Sequence, residues 1–287
     1  MPQKAYRSAA DFRRALEDRL QDIAKKEVTD LQRLRREVAF DRLLARLFRN
    51  VQPESPLFAL KGGYAMELRM SSARATKDID LTAQILGPPD HANKILLQKL
   101  QECAAFDAGD FFLYMIAESV SDVDAAPYGG ARFPVEARLD GRTFVKFHID
   151  VGIGDAIMEP LEIVKGKEWL QFAGIPNPSI YMIPREQQFA EKLHAYTLPR
   201  ATGMNSRVRD LIDMVLLIQS NMMDVSKASE ALQITFTRRK THVLPDVLSF
   251  PPKDWDRPFQ ALAQECHVEI GLENAFLLVQ QYMSSLR

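Results

Sequence analysis

The N-terminal part of the chain places apolar residues with a helical period. They recur every three or four positions in two series, which are Phe12, Leu16, Leu20 and Ile23, followed by Leu31, Leu34, Val38, Leu44 and Leu47. This spacing predicts helix over residues 9–48. The series changes phase near residues 28–30, which indicates two helices or a bend at that point.

Short apolar runs replace the helical pattern in the next part of the chain. Residues 57–60 predict a buried strand that ends in Lys61-Gly62-Gly63, and residues 78–82 alternate with period two, as in a strand with one wet face. The other predicted elements are a helix after residue 90 and strands at 111–117, 131–139 and 142–151. Asp140-Gly141 between the last two strands is a hairpin signal.

The last hundred residues are almost wholly helical in pattern. The predicted helices are 185–197, 206–219, a region near 225–232, and 272–283. Several prolines and glycines lie in residues 174–184, where the short apolar runs give way to the helical pattern. We therefore predict an α/β (α+β) domain with a short mixed sheet over residues 1–175, and a helical domain over residues 176–287.

Composition narrows the class of protein. The chain has 287 residues, of which 46% are apolar and 26% charged, as in ordinary globular proteins. Its net charge of −1 gives no overall attraction to nucleic acid, and the basic clusters at 33–36 and 238–240 are typical of solvated faces. The N-terminal sequence lacks a signal-peptide pattern and no run of 18 apolar residues occurs, so we expect a cytoplasmic protein without a membrane span.

Three aspartates are the candidate catalytic residues. Asp78 and Asp80 are two positions apart on a predicted strand, so both leave the same face, roughly 7 Å apart. Asp150 ends another strand, and the three carboxylates converge if these strands are neighbours. Two like charges about 4 Å apart repel by roughly 4 kcal/mol at an effective dielectric near 20. Such a trio takes up a proton or binds a cation, and oxygen-only ligands favour Mg²⁺ or Mn²⁺.

A second feature predicts a phosphate site. Lys61-Gly62-Gly63 lies at a predicted strand-to-helix turn, where glycines permit close backbone approach and a helix N-terminus attracts anions. A pair of glycines alone is more often a turn, and aspartates two apart are more often a solvated strand edge. The order of the two features along the chain is far more specific than either one.

Four segments together resemble the AbiEii/AbiGii family of nucleotidyltransferases, the toxin half of bacterial type IV toxin–antitoxin systems. Residues 61–63 and 74–80 resemble its first two motifs, and residues 186–195 and 207–213 are similar to the third and fourth. The resemblance implies a DNA polymerase β-like nucleotidyltransferase domain followed by a helical domain that completes the active-site cleft. It also implies an NTP substrate, an RNA acceptor such as the tRNA 3′ end, and a cognate antitoxin.

The resemblance also implies roles for single residues. Lys192 would reach the triphosphate and neutralise charge on the leaving pyrophosphate, and Arg209 would lie at the nucleotide site. Asp213 is either an orienter of Lys192 or the partner of Arg209 in an ordinary surface ion pair. Tyr64 stands where the family places a small hydroxyl residue, so its phosphate contact differs from the family pattern.

Thr76 and two alternative functions complete the hypothesis. A phosphate on Thr76, two residues before Asp78, would repel an incoming triphosphate, so an antitoxin with kinase activity could inactivate the enzyme there. One alternative is a nucleotidyltransferase that modifies a small molecule or a protein side chain. The other is a non-catalytic nucleotide- or RNA-binding protein, in which the carboxylates only line a solvated edge.

Overall fold

The computed structural model describes residues 6–49, 51, 56–84, 91–122, 127, 129–199 and 207–287. The predicted helix start at residue 206 lies outside these ranges. The chain forms two compact units: residues 1–60, 75–154 and 162–182 make the first, and residues 61–74, 155–161 and 183–287 make the second. The predicted domain boundary at 175/176 stays a prediction, and residues 61–74 and 155–161 belong to the second unit.

The first unit is a mixed β-sheet with helices. Its described strands are β1 (Phe58–Lys61), β2 (Ile79–Ala83), β3 (Phe112–Ile116), β4 (Ser121–Asp122), β5 (Gly130–Leu139), β6 (Arg142–Ile153), β7 (Glu162–Lys165) and β8 (Ser179–Met182). The strand order is β3-β5-β6-β2-β1-β8-β7, with β4 paired to β5. β2 pairs with β6 in parallel, as β1 does with β8, while the β3–β5, β5–β6 and β7–β8 pairs are antiparallel.

The N-terminal segment forms two helices, α1 (Ala9–Glu27) and α2 (Leu31–Leu47). Val28 ends α1 in the left-handed conformation, at φ 52°, and Asp30 caps α2 by accepting hydrogen bonds from two backbone N–H groups. The break thus falls where the apolar series changes phase. The face predicted to be apolar is buried, with Phe12 and Leu16 fully inaccessible.

The second unit is helical. Its described α-helices are α3 (Gly62–Arg69), α5 (Arg185–Thr197), α6 (Val208–Gln219), α7 (Val225–Arg239), α8 (Asp256–Glu265) and α9 (Leu272–Ser285), while α4 (Ala92–Ala104) belongs to the first unit. Helices α5, α6, α7 and α9 share one apolar core, to which Phe189, Leu211 and Val279 contribute. Among the described residues, no helix is both long and apolar enough to cross a bilayer.

The basic cluster at 238–240 differs from its predicted solvated state. The guanidinium of Arg239, at the end of α7, is only 8% exposed and pairs with Asp155 at 2.9 Å and with Glu191 at 3.2 Å. Lys61 reaches the same two carboxylates, at 2.6 and 3.3 Å. The prediction was wrong for Arg239 because the acidic partners lie far away in sequence, where a local pattern cannot show them.

Candidate active site

Strands β2 and β6 bring the predicted carboxylates together. They are parallel neighbours in which Asp80 lies opposite Asp150 and Ile79 opposite Ile149. The apolar partners are fully buried, so the alternation of the strands turns both aspartates to the other, half-exposed face. The condition on which convergence depended, that these two strands are neighbours, is therefore confirmed.

Asp78 completes this group from the residue just before β2. Its Oδ1 accepts a hydrogen bond from the backbone N–H of His148 at 3.2 Å and lies 3.2 Å from the Nδ1 atom of the same histidine. His148 lies two residues before Asp150 on β6, so the Asp78 carboxylate is fixed against the strand that carries the third aspartate. The Asp78 and Asp150 side chains keep 28% and 20% of their surface exposed, which leaves both accessible to a ligand.

A guanidinium that the sequence analysis did not identify binds two of the three carboxylates. Arg132 on β5 lies opposite Asp150. Its Nε and one terminal nitrogen each donate to Asp150 at 2.7 Å, and that terminal nitrogen also donates to Asp78 at 3.3 Å. Hydrogen bonding to Asp150 raises the pKa of Arg132 above its ordinary value. The carboxylates of Asp78 and Asp150 therefore already share one cation.

The types of the donor atoms, all carboxylate oxygens, are those that a hard divalent cation prefers. Within the part of the chain that the structure describes, no three His, Cys, Asp or Glu side chains form a group that could hold a metal ion. Asp78 and Asp150 nevertheless direct oxygens at the same cationic group, and Asp80 lies opposite Asp150 in the register. Carboxylate oxygens are the ligands that Mg²⁺ and Mn²⁺ prefer, but here Arg132 holds two of these carboxylates, and their binding of a metal stays a prediction.

The predicted phosphate residues lie in the second unit. Gly62 begins α3 with φ 67°, a conformation that favours glycine, and its carbonyl accepts a hydrogen bond from Gln188 at 2.7 Å. Gly63 and Tyr64 follow in the first turn, and the Tyr64 ring is fully buried. Lys61 is held by Asp155 and Glu191, as described above. The contact of these four residues with a phosphate stays a prediction.

Lys192 and Asp213 form a buried ion pair. The Lys192 ammonium on α5 lies 2.5 Å from Asp213 and 3.2 Å from Asp210, both on α6, and Arg74 donates to Asp213 at 3.0 Å. Burial alone would raise the pKa of Asp213, but Lys192 and Arg74 outweigh it and hold that pKa below the ordinary value. The same carboxylates raise the pKa of Lys192 against its own burial.

This network decides between the two interpretations of Asp213. The surface pair with Arg209 was wrong, because the Asp213 side chain is fully buried whereas Arg209 is exposed. Asp213 instead holds the ammonium of Lys192, as the other interpretation expected. A contact of Lys192 or Arg209 with a nucleotide stays a prediction.

The chain was compared with protein-family models, solved structures and curated sequences. Residues 42–275 match the family model described as nucleotidyl transferase AbiEii toxin, type IV TA system. The fold is similar to MenT4, a nucleotidyltransferase toxin from Mycobacterium tuberculosis H37Rv, with a TM-score of 0.57 and 14% identity over 94% of this chain and 97% of that one. The protein JHP933 from Helicobacter pylori matches with a TM-score of 0.47 and 14% identity over 90% and 92%. A comparison with curated protein sequences gives no match.

Proposed function

The chain belongs to the AbiEii family of nucleotidyltransferase toxins from type IV toxin–antitoxin systems, and on this basis we propose that it transfers a nucleoside monophosphate from an NTP to RNA, with the tRNA 3′ end as target. One observation carries the proposal: Asp80 faces Asp150 across parallel strands, and Asp78 and Asp150 together bind a single cationic group.

The metal part of the proposal assigns three ligands. Asp78, Asp80 and Asp150 would hold Mg²⁺ or Mn²⁺, which supplies Lewis-acid stabilisation of the phosphoryl oxygens when bound. In the reaction, a 3′-hydroxyl oxygen of the acceptor bonds to the α-phosphorus of the NTP, the α–β phosphoanhydride bond breaks, and pyrophosphate leaves. If Asp150 is not a ligand of this metal, its carboxylate would instead accept the proton of the attacking hydroxyl.

The second unit contributes the nucleotide part of the proposal. Gly62 and Gly63 would contact phosphates from the start of α3, with Lys61 and Tyr64 beside them in the chain. Lys192 would neutralise charge on the leaving pyrophosphate, and Arg209 would bind the nucleotide. The network around Lys192 supports a positioned ammonium, because two carboxylates restrict its side chain.

Label transfer tests the proposed function directly. Purified protein is incubated with Mg²⁺, total tRNA and each α-labelled NTP in turn. We expect label on RNA with one preferred nucleotide, and loss of that label when EDTA removes the metal. Label on a protein or small molecule would assign the acceptor to that class instead, and no label on any acceptor would contradict the enzyme assignment.

The Thr76 hypothesis remains part of the proposal. The Thr76 side chain is half-buried, and its hydroxyl lies 3.5 Å from the backbone carbonyl oxygen of Asp78. A phosphate at this distance would place at least one negative charge beside the carboxylate group. We expect mass spectrometry of the toxin co-expressed with the neighbouring gene to show phosphorylated Thr76. Finding only unmodified Thr76 would contradict the hypothesis.

The position of Arg132 leads to a prediction about metal affinity. Replacing Arg132 with alanine is expected to tighten Mn²⁺ binding by at least about tenfold. A charge-assisted hydrogen bond contributes roughly 1.5–3 kcal/mol, or about 10- to 150-fold in affinity, and in this variant the metal no longer has to displace it. Electron paramagnetic resonance of free Mn²⁺ measures this affinity without any turnover. Arg138→Ala is the control, because Arg138 lies on the same strand but contacts Glu136 instead. Unchanged or weaker Mn²⁺ binding in Arg132→Ala would show that the guanidinium does not compete with the metal.

A further inference from the structure

A cavity of about 750 Å³ opens beside Asp78 in the first unit. Residues of β3, β5 and β6 line most of it, and Arg36 of α2 and Lys77 complete the wall. Asp78 lines the cavity, and so do Arg132 and His148, which both contact the Asp78 carboxylate. The cavity is therefore continuous with the candidate active site and is built from first-unit residues.

The charge of the lining favours an anion. Four of its side chains are cationic (Arg36, Lys77, Arg132 and Lys146), against the two carboxylates of Asp78 and Glu136. Glu136 accepts a hydrogen bond from Thr143 at 2.6 Å and pairs with Arg138 at 3.3 Å. Arg132 is bound by Asp150. Arg36, Lys77 and Lys146 thus set the charge that a ligand in the cavity would meet.

Two of these cations are arranged to receive phosphate oxygens. Lys146 is exposed on the face of β6 that also carries His148 and Asp150. Its side chain lines the cavity on the same face as the candidate active site. The guanidinium of Arg36 lies 4.0 Å from the carboxylate of Asp30, and 17% of the Arg36 side chain stays exposed. A guanidinium that is partly exposed and held by a carboxylate only at this long distance is suited to a phosphodiester oxygen.

The same cavity has an apolar surface. Met115 on β3 is 60% exposed, which is high for a methionine in a sheet, and Ile116 and Pro134 line the cavity beside it. Apolar and polarizable side chains of this kind provide a surface on which an unpaired base can lie. Proteins that bind single-stranded nucleic acid combine cations with aromatic rings on which bases stack, and in this cavity the polarizable thioether of Met115 would take the place of such a ring.

We propose that this cavity binds the single-stranded 3′ end of the RNA acceptor, with backbone phosphates at Arg36 and Lys146 and a base against Met115. The inference rests on the proposed function and adds the location and strandedness of the acceptor. The face of a base inside a double helix is covered by its stacked neighbours, so a base that lies against Met115 must be unpaired. The position of Asp78 in the wall then brings the terminal hydroxyl to the carboxylates.

Two variants with matched controls test the cavity by RNA binding alone. Fluorescence anisotropy measures the affinity for a labelled single-stranded RNA and for a blunt RNA duplex, without NTP. Lys146→Ala is expected to weaken single-strand binding about fivefold and to reduce the salt dependence of log K by about 0.7, the value for one lost phosphate contact. Lys165→Ala, an exposed lysine on β7, is the control and should bind as wild type.

Met115→Ser tests the base contact separately. It is expected to lower single-strand affinity about fivefold without changing the salt dependence, because a stacking contact carries no charge. Leu113→Ser is its control, since Leu113 is 65% exposed on the same strand but does not line the cavity. The blunt duplex is expected to bind more weakly than the single strand and to respond to neither substitution.

The outcomes separate the cavity from the enzyme assignment. If the wild type labels RNA but Lys146→Ala and Met115→Ser bind single strands normally, the cavity is not the acceptor site and the proposed function stands. If the variants lose affinity for NTP instead of RNA, the cavity is a nucleotide site and the inference is overturned. If the wild type neither binds nor labels RNA, RNA is not the acceptor, and the assignment of the cavity to an RNA end is overturned as well.

Discussion

Replacing Asp80 with asparagine is expected to lower nucleotidyl transfer by about 10³-fold. Asparagine keeps the shape of the side chain and removes its charge, so a metal ion would lose one anionic ligand. A Lewis-acid metal contributes several kcal/mol to phosphoryl transfer, and roughly 4 kcal/mol corresponds to 10³-fold in rate. The free energy of unfolding should change little, because removing one of three neighbouring carboxylates also removes like-charge repulsion. The rate of label transfer and a urea titration measure the two quantities.

The matched control is Asp140→Asn. Asp140 lies in the turn between β5 and β6 at φ 54°, a conformation that asparagine also adopts. The substitution makes the same chemical change as Asp80→Asn and lies in the same unit. We expect this variant to transfer label at the wild-type rate. Equal rates in Asp80→Asn and Asp140→Asn would show that the carboxylate group on β2 and β6 takes no part in catalysis. A stable Asp80→Asn protein with no Mn²⁺ affinity would locate the defect at the metal.

Much of the first unit could be predicted from the sequence because local patterns encode it. Strands β5 and β6 alternate buried and more exposed residues over most of their length, and the predicted bounds of β2, β5 and β6 agree with the structure to within two residues. In β2 the alternation ends at Leu81, because Thr82, on the face predicted to be wet, is fully buried. The short strands β7 and β8 could not be identified in this way, since four residues give too few alternations to establish a period of two. Asp80 of β2, Asp78 just before it and Asp150 of β6 were identified from the same alternation.

Arg132 could not be predicted, for a geometric reason. The turn at Asp140-Gly141 pairs Leu139 with Arg142, and an unshifted ladder would place Ala131 opposite Asp150. A register shift between Ala137 and Arg138 moves the pairing by one residue and puts Arg132 opposite Asp150 instead. A shift of one residue exchanges the two faces of a strand. A prediction from the hairpin signal alone would therefore place Arg132 on the face away from the site.

Replacing Asp213 with asparagine is expected to destabilise the protein by about 3 kcal/mol. Removing one partner of a buried ion pair leaves an uncompensated charge, which costs roughly 3–5 kcal/mol, and asparagine retains part of the hydrogen bonding. Here two cations lose their common acceptor, because Lys192 and Arg74 both contact Asp213. Arg209→Ala on the same helix is the control and should stay within about 0.5 kcal/mol of wild type, since Arg209 is exposed.

The pH dependence and a double variant show whether the pair itself is responsible. Because Lys192 and Arg74 hold the pKa of Asp213 below its ordinary value of 3.8, the carboxylate stabilises the fold above that pH and loses this contribution as pH falls towards its folded pKa. The stability gap between wild type and Asp213→Asn should therefore narrow below about pH 4. The double variant Asp213→Asn/Lys192→Met should lose less stability than the two single variants lose together, by at least about 0.5 kcal/mol, because it contains no unpaired ammonium. Additive costs and a gap that is constant with pH would mean that Asp213 acts through packing and does not hold Lys192.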